Sequence, residues 1–192
     1  MYSFLKHATR ATAIALSMAQ TSIAAPTQYI FDYDASDIGF TYDFSGDTIQ
    51  GAFPAFTGAL VVDFQNIRNS KVEVSIDASK GKGGFVFATS ALRGPKVLAT
   101  REFPTISFKS TAAQVSDGKA SVDGNITVRG VTKPMKLRVR FFQLQGNAPD
   151  ARDELQMVIT GRLNRHDFGA SGYPDMVGKY LDIKINAKIL KQ

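Results

Sequence analysis

Asp37-Ile38-Gly39-Phe40-Thr41-Tyr42-Asp43-Phe44 places Ile38, Phe40, Tyr42 and Phe44 on one side of an extended chain and Asp37, Thr41 and Asp43 on the other. A period of two is the signature of a β-strand, because successive side chains point to opposite faces of a sheet. The same rhythm recurs in Val72, Val74 and Ile76, set between Lys71, Glu73 and Asp77, and in Leu181, Ile183, Ile185 and Ile189. With strand after strand apolar on one face, and almost no amphipathic helix to cover that face, the sheet must cover itself. A closed antiparallel barrel with an oily interior does so.

Strands are expected at about Gln28–Asp34, Asp37–Phe44, Gly58–Phe64, Lys71–Ala78, Thr105–Val115, Ala120–Arg129, Met135–Gln145, Leu155–Arg165 and Tyr180–Leu190. The segments between them carry turn chemistry. Asn66 to Ser70 and Ser116-Asp117-Gly118-Lys119 read as hairpin turns, since Asp-Gly supplies the positive φ of a tight reversal. Gly130 to Pro134 reads as a further reversal and Gly146 to Asp153 as a polar loop. The fold class is therefore all-β, an up-and-down antiparallel barrel of about eight strands. Its exception is a helical insertion near 85–103, where Gly94-Pro95 would start a short helix and Pro104 would stop it. Lys80-Gly81-Lys82-Gly83-Gly84 before it matches no phosphate-binding fingerprint and reads as a flexible connection.

Which face points inward is a separate question. An outer-membrane barrel turns its oily face to lipid and keeps a polar lumen. Here the polar faces carry full charges of both signs, no clear girdle of aromatics marks the strand ends, and the loops are short apart from the 81–104 segment. The apolar face is expected to point inward.

Residues 1–24 stand apart. Lys6 and Arg10 precede a short run of small and apolar residues that ends in Ser22-Ile23-Ala24. This is the pattern of a cleavable secretory signal, too short to span a bilayer. Residues 25–192 then form one domain, exported to the periplasm or secreted, with no cysteine to cross-link. Without Lys6 and Arg10 the chain keeps 21 basic against 17 acidic side chains. The excess is mild and scattered along polar strand faces, the pattern of a solvated surface and not of a nucleic-acid site. Transient attraction to anionic headgroups stays open.

Several stretches carry a resemblance. Gly51-Ala52-Phe53 and Phe56-Thr57-Gly58 are followed by Phe103-Pro104-Thr105-Ile106-Ser107-Phe108-Lys109-Ser110-Thr111. Gly124-Asn125-Ile126-Thr127-Val128-Arg129-Gly130-Val131-Thr132-Lys133-Pro134 and Asn164-Arg165-His166-Asp167-Phe168-Gly169 complete the set. In order and spacing they resemble the YceI-like proteins, from Tyr29 onward. The resemblance implies an exported, lipocalin-like barrel that holds a long isoprenoid or similar lipid in its lumen, with no catalytic constellation. Many members carry a His-Ser pair after the first strand and a further His on the second. This chain reads Asp34-Ala35-Ser36-Asp37 and Thr41-Tyr42-Asp43 there, so no role of those histidines carries over.

Strand parity nominates the lumen. Ile38, Phe40, Tyr42 and Phe44 come from one strand; Leu60 and Val62, then Val74 and Ile76, from the next two. Phe85, Phe87 and Leu92 belong to the insertion, and Phe108 to the strand after it. Leu137, Val139 and Phe141, then Met157 and Ile159, and finally Ile183 and Ile185 complete the wall. Parity is equally compatible with a lumen filled by these side chains. Arg165 and Asp167 share the inward parity of Met157 and Ile159. Arg165 could meet a phosphate or quinone oxygen, or the two could tie the strand end to a neighbouring loop through an internal ion pair; the structural role is favoured.

Catalysis finds little support. After residue 24 the chain has one histidine, His166, beside Asp167, and adjacent strand residues point to opposite faces. No metal site is expected, since zinc would need further His or Cys ligands. No cofactor is expected either, only a bound isoprenoid-type lipid: an isoprenoid quinone, a polyprenyl phosphate or a similar long-chain amphiphile, held for sequestration or transport. The alternatives are a filled-core interaction domain and, less favoured, a lipid-modifying barrel enzyme. Monomer and homodimer are both compatible.

Overall fold

The computed structural model describes residues 25–116, 119–142 and 152–192. The expected signal at 1–24, the Asp117-Gly118 tip and the polar loop up to residue 151 lie outside them. The described residues hold ten strands: β1 (Thr27–Phe31), β2 (Asp37–Phe44), β3 (Asp47–Phe53), β4 (Phe56–Val62), β5 (Lys71–Asp77), β6 (Thr105–Ser116), β7 (Lys119–Val128), β8 (Val131–Phe142), β9 (Glu154–Asn164) and β10 (Val177–Lys191). Every ladder is antiparallel. Eight of the strands run β1-β4-β5-β6-β7-β8-β9-β10 and close where Tyr29 meets Lys191 and Phe31 meets Ile189.

The remaining two form a hairpin on the same edge of β10. β1 pairs with β10 only at Ile189–Lys191, and β2 takes up that edge at Val177–Asn186. β3 continues outward from β2. The upper wall is then completed by one bridge, in which Ala52 and Lys82 exchange backbone hydrogen bonds of 2.9 and 2.7 Å. The lower barrel thus closes through a strand and the upper barrel through a hairpin and a strap.

β3 is the strand that sequence periodicity misses. Its inward series is Ile49, Gly51, Phe53, and the middle member has no side chain. A Cβ on Gly51 would lie 2.2 Å from the ring of Phe40, its cross-strand partner, so the ring occupies that place. β8 also starts earlier than expected, with Pro134 inside the strand. Pro134 faces Asn125 on β7, while the β8–β9 ladder begins only at Arg138, so the missing N–H breaks no pairing on that edge.

The insertion holds one helix, α1 (Val86–Arg93). It ends at Gly94 and does not begin there, which corrects the reading of Gly94-Pro95 as a start. Gly94 is extended, as a residue before proline prefers, and its N–H closes the helix onto the Ala91 carbonyl at 3.0 Å. Between β4 and β5 the turn is built around Asp63. Its carboxylate accepts from the N–H groups of Gln65 and Asn66 and from Asn69 Nδ2. Those bonds, that of Asn66 foremost, hold the carboxyl below its ordinary range.

One end of the barrel is solid. Tyr29, Phe31, Val62, Met157, Ala187 and Ile189 pack together there, and Tyr29 and Ile189 are 2% and 0% exposed. A second cluster, with Leu98, Ile106, Phe108, Ile126, Leu137 and Phe168, lies beneath the 94–104 segment and the 165–176 segment at the other end.

Candidate functional site

Above the solid end the interior is hollow, with a cavity of about 510 Å³. That volume sits within the ~300–1,000 Å³ of small-molecule sites. β2 contributes Ile38, Phe40, Tyr42 and Phe44, and β5 contributes Val74 and Ile76. The insertion brings Phe85, Phe87 and Leu92. Phe108, Leu137, Val139, Ile159, Ile183 and Ile185 face the cavity from β6 and β8 to β10. Alternation sends all of these strand residues to one face, and their neighbours Lys71, Asp182 and Lys184 to the other.

Four nominated residues lie elsewhere. Leu60, Val62 and Met157 point inward but at the solid end, where they pack around Ile189. Phe141 stands near the end of β8 and is 51% exposed. Parity sets the face of a residue but not its height along the barrel axis, and height separates these from the cavity wall.

The wall also includes residues that were not nominated. Val122, Ile126 and Val128 of β7 face the cavity, as do Phe31, Phe53 and Phe56. The β7 series was legible as Val122, Gly124, Ile126, Val128, with a glycine again interrupting the inward face. Tyr42 holds the strap in place: its hydroxyl donates to the Gly83 carbonyl at 2.7 Å, and burial pushes its pKa up.

Arg165 sits on the cavity's edge at 4% exposure, in the 3-10 turn Arg165–Phe168 that follows β9. Its partners are backbone carbonyls. Nε donates to Gly178 at 2.9 Å, Nη1 to Ala170 and to Gly172 at 2.8 Å, and Nη2 to Val177 at 2.8 Å. The expected ion pair with Asp167 is absent. Asp167 is exposed and accepts from Asn164 Nδ2 at 2.9 Å. Burial without a carboxylate lowers the Arg165 pKa, and the four carbonyl dipoles take the place of a counter-ion. The guanidinium is engaged with the 170–178 backbone, which identifies a fastening for the rim.

A closed antiparallel barrel, solid at one end and hollow with apolar walls above it, is of the class that encloses small apolar molecules. The chain belongs to the YceI-like family, whose domain model matches residues 29–189. A UPF0312 protein of Vibrio vulnificus is 30% identical over 181 residues, covering 86% of this chain and 92% of the relative. Among solved structures, Burkholderia cenocepacia BcnA superposes with a TM-score of 0.74 at 17% identity, over 82% of this chain and 98% of that one. A polyisoprenoid binding domain from Saccharophagus degradans, implicated in plant cell wall breakdown, gives a TM-score of 0.60 at 10% identity, over 85% and 98% of the two chains. At these identities the structural likeness is one of fold.

Proposed function

We propose that the protein is an exported, non-catalytic lipid carrier that holds the hydrocarbon part of an isoprenoid-type lipid in its cavity. The observation that carries this reading is the 510 Å³ hollow walled by aliphatic and aromatic side chains. Each 100 Å² of hydrocarbon moved out of water contributes ~2.5 kcal/mol. A few hundred Å², less the cost of immobilising the chain, leaves roughly micromolar binding or better. A filled-core interaction domain would have no use for such a hollow. The polyisoprenoid binding domain with the same fold supports the choice of lipid class, and residues 1–24 support export into the periplasm.

The test is native mass spectrometry with organic extraction on protein purified from its host's exported fraction. A stoichiometric adduct that extracts as a quinone or polyprenyl species is expected. A bare mass, unchanged by incubation with isoprenoid quinones and polyprenyl phosphates, would overturn the proposal.

A further inference from the structure

The rim of the open end is built unlike a solvated loop. Phe85, Val86 and Phe87, where α1 begins, are all exposed, Val86 at 90% and Phe87 at 74%. Across the mouth Tyr173 and Met176 are exposed as well. The end of β2 and the residue after it join the two sides: the rings of Phe44 and Phe85 meet edge to face at 5.5 Å, and the Ser45 N–H donates to the Met176 carbonyl at 2.8 Å. Phe85, Phe87, Tyr173 and Met176 also face the cavity, so the apolar surface continues from lumen to solvent without a polar break. Val86 does not face the cavity. Val115, Phe141 and Phe142 are exposed too, at strand ends away from this mouth, but none of them lines the cavity, whereas this patch continues into it and marks a contact surface.

What surrounds the patch identifies the contact. Lys96 Nζ lies 5.8 Å from the ring centre of Tyr173, and Lys179 Nζ lies 5.2 Å from that of Tyr180. Lys82 and Arg93 are exposed on the strap and at the end of α1. Tyrosines carrying lysines behind an aliphatic and phenyl tip form the layering of a membrane interface: apolar tips among acyl chains, amphipathic rings and long cations at headgroup depth. Asp43 and Asp47 flank the β2–β3 turn and Asp175 lies beside Met176, so net charge does not drive the contact. Apolar insertion does.

Resting on the carrier reading, we infer that this rim docks the barrel on a lipid bilayer. Val86, Phe85, Phe87 and Met176 insert, and the cavity mouth lies against the membrane, so a hydrocarbon chain passes between bilayer and lumen without crossing water.

The chain has no tryptophan, so Val86→Trp installs a single reporter at the tip, and Ile30→Trp on β1, half exposed near the solid end, is its control. With vesicles of phosphatidylethanolamine and phosphatidylglycerol, the Val86→Trp emission should shift to the blue and be quenched by brominated acyl chains. The shift should survive high salt, and Ile30→Trp should not respond. Val86→Glu, an exposed change away from the cavity, should weaken vesicle partitioning ~10-fold or more, as expected for losing one buried valine. It should leave uptake of a quinone from detergent-free solution unchanged while slowing its transfer from vesicles. No shift for Val86→Trp, or transfer indifferent to Val86→Glu, would overturn docking and leave the carrier reading standing. Insertion by a protein that takes up no lipid would overturn the carrier reading alone. A blue shift without vesicles, with doubled mass, would show that a second copy covers the rim and would overturn the bilayer assignment.

Discussion

Val139→Asp places one carboxyl in the cavity wall with almost no change of volume, and its consequences can be worked out from the neighbours. Val139 lies opposite Ala120 on β7 and Ile159 on β9 and faces the cavity. The adjacent Arg138 and Arg140 point to the outer face. The new carboxylate would have no partner and little water, so desolvation should raise its folded-state pKa by ~3 units above the ordinary ~3.9. At ~1.36 kcal/mol per unit this is about 4 kcal/mol, a large share of the roughly 5–15 kcal/mol that holds a domain together. A raised pKa means that the folded state binds the extra proton. The penalty is therefore absent below about pH 4, grows as pH rises, and is complete above about pH 7. Val139→Asn carries the same polarity without the titration. Urea unfolding of both variants between pH 4.5 and 7.5 should show their stabilities diverging as pH rises, by roughly 1.4 kcal/mol per unit at the steepest. A constant difference between them would mean a hydrated carboxylate, and would refute the placement of Val139 on a dry inner wall.

Arg165→Met should lower stability by ~3 kcal/mol or more, because the carbonyls of Ala170, Gly172, Val177 and Gly178 lose their donor together. Arg165→Lys should recover only part of it, since an ammonium lacks the planar fork; calorimetric Tm values of the two variants check the order. Tyr42→Phe removes the donor to Gly83 and should cost about 1–2 kcal/mol, with faster amide exchange at Lys82 and Ala52, where the strap meets β3. Gly124→Ala should be worse than Gly161→Ala by about 1 kcal/mol or more in denaturant unfolding. The first Cβ clashes with the Lys109 carbonyl oxygen at 2.6 Å and with a ring. The second clashes with the flexible ends of Met135 and Leu137 at 2.7 and 2.8 Å and meets backbone, the Lys136 carbonyl, at an ordinary 3.5 Å.

The barrel was legible because burial on one face alone writes itself into the sequence as alternation, and most strands here are buried on one face. β3 escaped because Gly51 erases the middle of its inward series. The helix was displaced because Gly-Pro can open a helix or close one, and only the Gly94 N–H bonded back to Ala91 decides. Parity named much of the cavity wall but could not tell a lining residue such as Val139 from one such as Met157, which shares its face and sits in the solid end. Arg165 was read with an acidic partner, but its partners are main-chain oxygens, which belong to every residue and leave no mark on the sequence.

Whether an eight-stranded barrel is full or hollow depends on where its large side chains go, because such a barrel is just wide enough to be filled by them. Here the phenylalanines lie back on the wall. A Cβ built on Gly51 would strike the Phe40 ring at 2.2 Å, on Gly124 the Phe108 ring at 2.4 Å, on Gly81 the Phe53 ring at 2.7 Å, and on Gly58 the Phe31 ring at 2.8 Å. Each ring rests on the bare backbone of a neighbouring segment, where a side chain would otherwise turn it toward the axis. Aromatic cover of a strand glycine is a known stabilising pair in sheets. In this barrel it has a second consequence, since four rings that could have plugged the lumen become part of its wall. Gly51, Gly58 and Gly124, which interrupt their strands' patterns, and Gly81 of the strap thus let these rings lie clear of the barrel axis.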